Sequence, residues 1–325
     1  MDGQSSSVIE TDLSKAMRGI LLPFPTPFSA DGEVDKDALR RNVEKWNETG
    51  ISGYVALGST GERVHLDERE YLEVIEAARR AVPENLAFIA GAGQESVRAT
   101  VNEIRGAARA GADAVLVITP HFYRRAMTQD ALEKFYRAVA DDAIVPVLLY
   151  NMPELTGVAI APETVSRLSE HENILGIKDS SSDIVNFAET LRLVPEDCAV
   201  VTGNGSLLYA ALCAGARGAI LAVGCVAVQQ SLLIYGAVMA GDHIRARTVQ
   251  RKLAPLARAV TVLYGIGGLK VALDMIGFEG GTVRAPLEMP DEEARGEISR
   301  VLGEAALSIG SRTETEFRTA GALTE

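Results

Sequence analysis

The chemistry that the sequence offers begins with one lysine. Residues 173–182 read NILGIKDSSS, so Lys178 follows a short β-branched apolar run that is typical of a buried strand. Because an ammonium group is costly to remove from water, a lysine in apolar surroundings tends to lose its proton, and the neutral amine can form a Schiff base with a ketone. The same lysine could instead reach the surface or pair with Asp179, so this stretch alone leaves both interpretations open.

Two further stretches carry groups that would complement such an amine. Tyr150 ends another apolar run, and its phenol could shuttle protons or simply pack its ring with the hydroxyl in water. Residues 58–62 read GSTGE and offer backbone amides with the hydroxyls of Ser59 and Thr60, a cradle for a carboxylate or phosphate. Plain loop chemistry would explain the same residues.

The elements that must position these groups alternate along the chain. Strands are predicted at 19–22, 53–57, 86–90, 114–118, 145–150, 174–178, 199–202 and 218–223, with helical patterns between them. Unalternated apolar strands, each followed by a helix, predict an α/β fold, a TIM (β/α)8 barrel. An open doubly wound sheet is the alternative, but the turn after its first strand usually reads GxGxxG, whereas here that turn is rich in proline.

After the last strand the chain changes character. Helices without strands are predicted at 229–240, 242–262, 268–276 and 291–307. The first is expected to close the barrel and the other three to form a C-terminal helical appendage. The predicted organisation is a loose lead-in at 1–17, the barrel at 18–240, the helical region at 241–310 and a mobile tail at 311–325.

Active sites of such barrels lie at the carboxyl ends of the strands. Of the seven lysines only Lys178 meets that condition, and Lys270 is set aside because it lies in a C-terminal helix beyond the barrel. Tyr150 and the 58–62 loop fall on the same predicted rim. A shared site is more economical than three independent coincidences, so a Schiff-base site is predicted there.

Composition excludes several classes of function. A net charge of −12 argues against nucleic acid and anionic membrane surfaces as partners, because these attract clustered lysine and arginine. The longest apolar run, 219–228, is too short to span a membrane, and the polar start lacks a secretory signal, so a cytoplasmic protein is expected. The unpatterned Cys198, Cys213 and Cys225 indicate free thiols.

Three motifs in order now resemble a known family. GSTGE at 58–62, YNMP at 150–153 and GIKD at 176–179 are similar to motifs of the dihydrodipicolinate synthase and N-acetylneuraminate lyase superfamily, over about 18–289. The resemblance implies a class I aldolase or lyase that acts on pyruvate, or a pyruvate-derived 2-oxo acid, and an aldehyde. It implies no cofactor and a homo-oligomer, usually a tetramer built from tight dimers.

The resemblance also implies roles for single residues. Lys178 would be the Schiff-base lysine and Tyr150 the proton shuttle, while Ser59 and Thr60 would hold the pyruvate carboxylate. Further pocket positions of the family match Ser180, Gly203 and Ile220. A second tyrosine of the family often reaches the partner subunit's site, and its position matches either Tyr123 or Phe122.

Departures from the motifs bear on the substrate. The synthases carry Gly-Arg after the Tyr-Asn-x-Pro motif, where this chain has Glu154 and Leu155, and leucine cannot clamp a carboxylate. The segments 120–127, 178–180, 265–270 and 284–287 look like the 4-hydroxy-2-oxoglutarate aldolases, the expected activity, while YNMPELTG at 150–157 is closer to the sialic acid lyases. The alternatives are a 4-hydroxy-tetrahydrodipicolinate synthase and another 2-keto-3-deoxy sugar acid or sialic acid lyase.

Three rival functions remain open at this point. A metal-dependent aldolase would need a cluster of ligands, but the four histidines are scattered, so no metal is expected. A phosphate site could use the 203–205 turn after strand seven, although that turn lacks a basic residue. A regulatory barrel that binds a 2-oxo acid without turnover is the non-enzymatic alternative.

Overall fold

The structure is a computed structural model that describes residues 13–306. Residues 1–12 and 307–325, which include the predicted mobile tail, lie outside the described residues. Within 13–306, none of the helices combines the length and the apolar character that crossing a membrane requires.

Eight parallel strands pair in chain order, and β8 pairs with β1, so the sheet is a closed barrel. This confirms the predicted TIM barrel and excludes the open sheet. The strands are β1 Ile20–Leu22, β2 Gly53–Ala56, β3 Ala87–Ala92, β4 Ala114–Ile118, β5 Val147–Asn151, β6 Ile174–Asp179, β7 Ala199–Thr202 and β8 Gly218–Ile220.

Apolar side chains cover both faces of the sheet. Leu148 and Val201 belong to a buried cluster that fills the barrel, whereas their neighbours Leu149 and Val200 belong to a second cluster that packs against the outer helices. Because successive strand residues point to opposite faces, a strand buried on both faces reads as an unbroken apolar run. This is why the strands could be recognised in the sequence.

The start of the described chain packs against the barrel. Residues 13–16 form a helical turn, α1, and both Leu13 and Met17 are buried in the cluster that fills the barrel. Burying a side chain of this size contributes roughly 1.5 to 3 kcal/mol. The prediction of a loose lead-in therefore does not hold for residues 13–17.

Helices cover the outside of the barrel and follow the predicted pattern. Asp67 caps α3, and Glu70 completes a capping box. The helices are α2 Lys36–Asn47, α3 Glu68–Ala81, α4 Val97–Arg109, α5 Gln129–Asp142, α6 Pro153–Thr156, α7 Pro162–Leu168, α8 Ile184–Leu193, α9 Leu208–Ala214 and α10 Val228–Met239.

The C-terminal appendage consists of α11 His243–Arg258, α12 Gly265–Met275 and α13 Glu292–Ala306. The helix predicted over 242–262 ends at Arg258 and continues as a π-helical turn, Ala259–Leu263. The next helix begins at Gly265 rather than at 268. Two residues of this region, Ile266 and Leu287, reach the mouth of the barrel, where they line a cavity described below.

Candidate active site

Neighbouring strands bring Tyr150 and Lys178 side by side. The two residues are direct partners in the register of β5 and β6, so their side chains point to the same face of the sheet. The Nζ atom of Lys178 lies 4.4 Å from the centroid of the Tyr150 ring. The predicted pairing of a lysine and a tyrosine from adjacent strands is therefore present at the carboxyl end of the barrel.

The amine of Lys178 is buried without a charged partner. Lys178 is 4% exposed, and within residues 13–306 its Nζ makes no hydrogen bond or ion pair. Asp179 points to the other face, where its carboxylate accepts hydrogen bonds from the Asn151 side chain and the Ser181 backbone amide. This geometry fits neither of the alternative interpretations of Lys178, a lysine that reaches the surface or a partner of Asp179.

Hydrogen bonds fix the Asp179 carboxylate at the carboxyl end of the barrel. Burial raises the pKa of its carboxyl above the usual range, and the hydrogen bonds from Ser181 and Asn151 oppose that shift. Asn151 also accepts a hydrogen bond from the Ile160 backbone amide at 3.0 Å. The motif residue after Tyr150 therefore ties β5 to β6 and to the following loop, a role that its spacing in the sequence did not indicate.

The loop after β2 brings a hydroxyl to the tyrosine. Ser59–Gly61 forms a single 3-10 turn, and the Oγ of Ser59 lies 3.2 Å from the Oη of Tyr150. Either oxygen can donate this hydrogen bond. A pair of hydroxyls in contact is the geometry that a proton relay requires.

Gly203 and Ser180 surround the stem of the lysine. A Cβ atom on residue 203 would lie 2.8 Å from the Cε of Lys178 and would overlap the Oγ of Ser180. Only glycine leaves Lys178 in place at this position. Both predicted residues are thus brought to the lysine.

The remaining predicted residues, Ile220, Thr60 and Tyr123, do not line the cavity beside Tyr150. Ile220 packs in the apolar cluster that contains Tyr150, and Thr60 is half-buried beside Ser59 without lining the cavity. Tyr123 is 70% exposed and its ring packs edge-on against Phe122, which is 74% exposed. Within this single chain Tyr123 does not line the cavity.

A cavity of about 310 Å³ opens beside Tyr150 and Ser59. Most of its wall is apolar, and Leu155, which is 58% exposed, lies at its edge. The outer nitrogens of Arg63, a cation in the wall, are engaged by the Glu103 carboxylate and the Gly93 carbonyl. The cavity is large enough for a small oxo acid and an aldehyde. Lys178 does not line it, but Tyr150, whose ring lies 4.4 Å from the Lys178 amine, does.

Comparison with known proteins places this geometry in a family. The model of the dihydrodipicolinate synthetase family matches residues 16–305. The chain belongs to this family. It is accordingly a lyase, a class I pyruvate-dependent aldolase of the dihydrodipicolinate synthetase family.

Individual members of the family are similar along nearly their whole length. The 4-hydroxy-tetrahydrodipicolinate synthase of Methanothrix thermoacetophila is 35% identical over 286 residues, which are 88% of this chain and 96% of that protein. The dihydrodipicolinate synthase structure from Thermotoga maritima has 32% identity and a TM-score of 0.85, covering 89% of this chain and 99% of that one.

A third relative has been crystallised with a 2-oxo acid. The chloride-inhibited dihydrodipicolinate synthase of Acinetobacter baumannii, in complex with pyruvate, is 30% identical with a TM-score of 0.83 and covers 89% of this chain and 99% of that one. These relatives bear the name of the synthase. The expectation of a closer likeness to the 4-hydroxy-2-oxoglutarate aldolases therefore finds no support among them.

The sequence argument missed a second buried lysine in this family member. Lys270 was set aside because it lies in a C-terminal helix. In the structure this lysine nevertheless reaches the barrel mouth, because its Nζ lies 2.6 Å from the Oε1 of Glu62, the last residue of the GSTGE motif. Both side chains are fully buried. The sequence did hold a signal, since Lys270 stands alone among apolar residues in 266–273, where a surface helix would show more polar positions.

The four histidines lie apart from one another, as their spacing predicts. Each is near a different polar partner: His65 near Glu62, His121 near Glu95, His171 near Asp141 and His243 near Cys213. Within residues 13–306 no three side chains of the ligating types come together as a metal site would require.

Proposed function

We propose that this protein is a Schiff-base-forming lyase in which Lys178 attacks pyruvate or a pyruvate-derived 2-oxo acid. The observation that carries the proposal is the buried, unpaired amine of Lys178 against the ring of Tyr150. An amine that makes no ion pair or hydrogen bond within residues 13–306 is available to attack a ketone. The family to which the chain belongs supports the same chemistry.

The proposed reaction starts with condensation of the Lys178 amine and the C2 ketone, which takes up one proton from solvent, releases water and forms an iminium ion. The C3–C4 bond then breaks, and its electrons move to the iminium to give an enamine. The C4 hydroxyl becomes the carbonyl of the released aldehyde as its proton passes to the Oη of Tyr150, Tyr150 passes its own proton to the Oγ of Ser59, and Ser59 releases its proton to solvent water. The same relay in reverse returns a proton to the enamine. Protonation of the enamine at C3 and hydrolysis release pyruvate, and the reverse sequence is a condensation.

The substrate carboxylate would be held by the 58–62 loop. Ser59 and Thr60 offer hydroxyls there, together with the backbone amides of the turn. Such anchoring fixes the scissile bond along the π system of the imine, which is how positioning accelerates the step. Ser180 offers a hydroxyl beside the lysine stem, and a side chain at position 203 would collide with both of them.

Intact mass after borohydride reduction in the presence of pyruvate tests this proposal. The wild-type protein should gain one pyruvoyl unit, and Lys178→Ala should gain none. Lys134→Ala, which removes an exposed lysine on α5, is the matched control and should keep the adduct. A wild-type protein without an adduct would refute the Schiff base.

A second, finer candidate is the 4-hydroxy-tetrahydrodipicolinate synthase reaction, which the names of the relatives favour. Leu155 stands where the synthases carry their carboxylate-gripping arginine, and it lines the cavity. The site of this protein therefore lacks the arginine that would bind the carboxylate of the synthase's aldehyde substrate. This absence favours an aldehyde that carries no carboxylate near Leu155.

Kinetics with both aldehyde classes distinguish these possibilities. If the chain is not a synthase, Leu155→Arg should raise kcat/KM for the carboxylate-bearing aldehyde of the synthase reaction by about tenfold or more, since a charged hydrogen bond contributes roughly 1.5 to 3 kcal/mol. High kcat/KM in the wild-type protein for that aldehyde, with no gain in the variant, would instead favour the synthase.

Assembly into a homo-oligomer is part of the proposal. The exposed rings of Phe122 and Tyr123, which pack edge-on, stand where family members often send a tyrosine into the partner subunit's site. Sedimentation of the wild-type protein and of Tyr123→Ala tests this point. A monomer with full activity would remove the partner's ring from the proposal.

A further inference from the structure

The loop that carries Ser59 is anchored from outside the barrel by a buried ion pair. Glu62 follows the Ser59–Gly61 turn directly, and its side chain is fully buried. One carboxylate oxygen accepts a hydrogen bond from Lys270 Nζ at 2.6 Å, and the other accepts one from the Arg284 backbone amide at 3.1 Å. The Nδ1 of His65 lies 3.2 Å from that second oxygen.

The other half of the pair comes from the C-terminal appendage. Lys270 belongs to α12, is fully buried and also donates to the Thr282 carbonyl. Its Nζ lies 4.5 Å from the centroid of the Phe28 ring. Burial lowers the pKa of Lys270, and the Glu62 carboxylate opposes that shift.

The loop has reason to need this anchor. Leu57 and Glu62, which flank the turn, have φ values of 55° and 54°, a left-handed conformation that residues with side chains rarely adopt. Such backbone strain persists only where surrounding contacts fix it. The Thr26 hydroxyl, in the loop that follows β1, donates to the Gly61 carbonyl at 2.7 Å, and the ion pair holds the same turn from the appendage.

We propose that Lys270 and Glu62 are positioning residues that hold the Ser59 hydroxyl within hydrogen-bonding distance of Tyr150, so that the C-terminal appendage sets the geometry of the proton relay. The inference rests on the proposed function. An ion pair suits this role better than an apolar contact because charged hydrogen bonds fix direction as well as distance. A contact that served stability alone could be replaced by apolar residues without loss.

Three variants separate positioning from stability. Lys270→Met removes the cation, and Glu62→Gln keeps the shape of the side chain but removes its charge. The double variant Glu62→Met with Lys270→Met replaces the pair by apolar side chains, which avoids leaving one buried charge without its partner. The double variant therefore carries the test if a single variant does not fold.

Two measurements with pyruvate alone report on the two stages of the reaction. Borohydride trapping reports Schiff-base formation at Lys178, and deuterium exchange of the pyruvate methyl group, followed by proton NMR, reports proton transfer at C3. We expect the double variant to match the wild-type protein in melting temperature and adduct, but to exchange at least about tenfold more slowly, as expected when a proton-transfer group is misplaced.

A matched control uses another ion pair that links the same C-terminal region to the barrel. Arg41 on α2 pairs with Glu279, away from the 58–62 loop. Arg41→Met should leave the exchange rate unchanged. A loss of exchange in this control as large as in the double variant would show that any loosening of the appendage has the same effect, which would overturn the specific role of Lys270 and Glu62.

The remaining outcomes also decide the proposal. A double variant that exchanges at the wild-type rate would make the pair a purely structural contact. Loss of the adduct along with exchange would place its effect on the whole site rather than on the relay. A wild-type protein that forms no adduct refutes the proposed function itself, a result that differs from both of these.

Discussion

Two lysines are buried in the described part of this protein, and their surroundings differ in one respect. Lys178 is 4% exposed and lies 4.4 Å from the centroid of the Tyr150 ring, while Lys270 is 0% exposed and lies 4.5 Å from that of Phe28. Lys270 has the Glu62 carboxylate at 2.6 Å, whereas Lys178 makes no ion pair with any residue in 13–306. The presence of a counter-ion, rather than burial or the aromatic neighbour, separates the two sites.

The difference shows how one residue type can serve two purposes at one barrel mouth. An amine with a fixed carboxylate partner holds two segments together, and removing one partner leaves the other buried without its ion pair. An amine without such a partner can react. Lys270 is proposed to position the loop that carries Ser59, and Lys178 is proposed to react beside that loop.

The largest expected effect falls on the reactive lysine. Lys178→Ala should reduce turnover and borohydride trapping to background, because the nucleophile is gone. The melting temperature should stay the same or rise, since the change removes a buried amine that has no ion-pair partner within the described residues. Calorimetry and turnover assays check this. A variant with near-normal turnover would break the comparison between the lysines.

The proton shuttle should show the next largest effect. Tyr150→Phe keeps the ring beside Lys178 and removes only the hydroxyl that contacts Ser59. Turnover should fall by about 10² to 10⁴, the usual contribution of a positioned acid or base, while the borohydride adduct still forms. Ser59→Ala serves as the companion variant. Equal losses of adduct and turnover would contradict a role confined to proton transfer.

The paired lysine should respond in stability rather than in trapping. Lys270→Met leaves the fully buried Glu62 without its cation, so the free energy of unfolding should fall by about 3 to 5 kcal/mol. Chemical denaturation measures this loss. Replacing both residues by methionine should recover most of it, and a single variant as stable as the wild-type protein would show that Glu62 is neutralised in another way.

The smallest expected effect concerns acid stability at the outer edge of the same network. Hydrogen bonds from Arg284 lower the pKa of Glu70 from 4.5 to about 2. A carboxyl whose pKa is lower in the folded state stabilises the protein above pH 4.5 and loses that contribution as the pH falls towards 2. Glu70→Gln should therefore lower stability at neutral pH and flatten its decline between pH 4.5 and 2.

The size of this last effect should be on the order of 1 to 2 kcal/mol, because solvent screens a pair at the edge of the protein. Glutamine can still complete the capping box with Asp67, so the helix start is kept. Glu48→Gln, at an exposed residue after α2, is the control. An unchanged pH profile in Glu70→Gln would mean that Arg284 finds another partner.

Much of the fold could be predicted from the sequence because burial on both faces of a parallel sheet leaves unbroken apolar runs. The runs at 114–118 and 199–202 match β4 and β7 to the residue. The predictions were less accurate where no periodic pattern exists. The π-helical turn at Ala259–Leu263 and the packing of Leu13 under the barrel depend on contacts with distant residues.

The sequence by itself determined that a lysine and a tyrosine would end adjacent strands of one barrel, since strand order and the position of each residue at a strand end are local facts. It also indicated the Ser59 loop. Only the tertiary structure decided which buried lysine has a counter-ion. The carboxylate of Glu62 and the amine of Lys270 lie 208 positions apart in the chain, and no local pattern relates them. Folding brings the appendage over the barrel mouth. Because the interior has low polarity, the presence or absence of an ion-pair partner then distinguishes the two buried lysines.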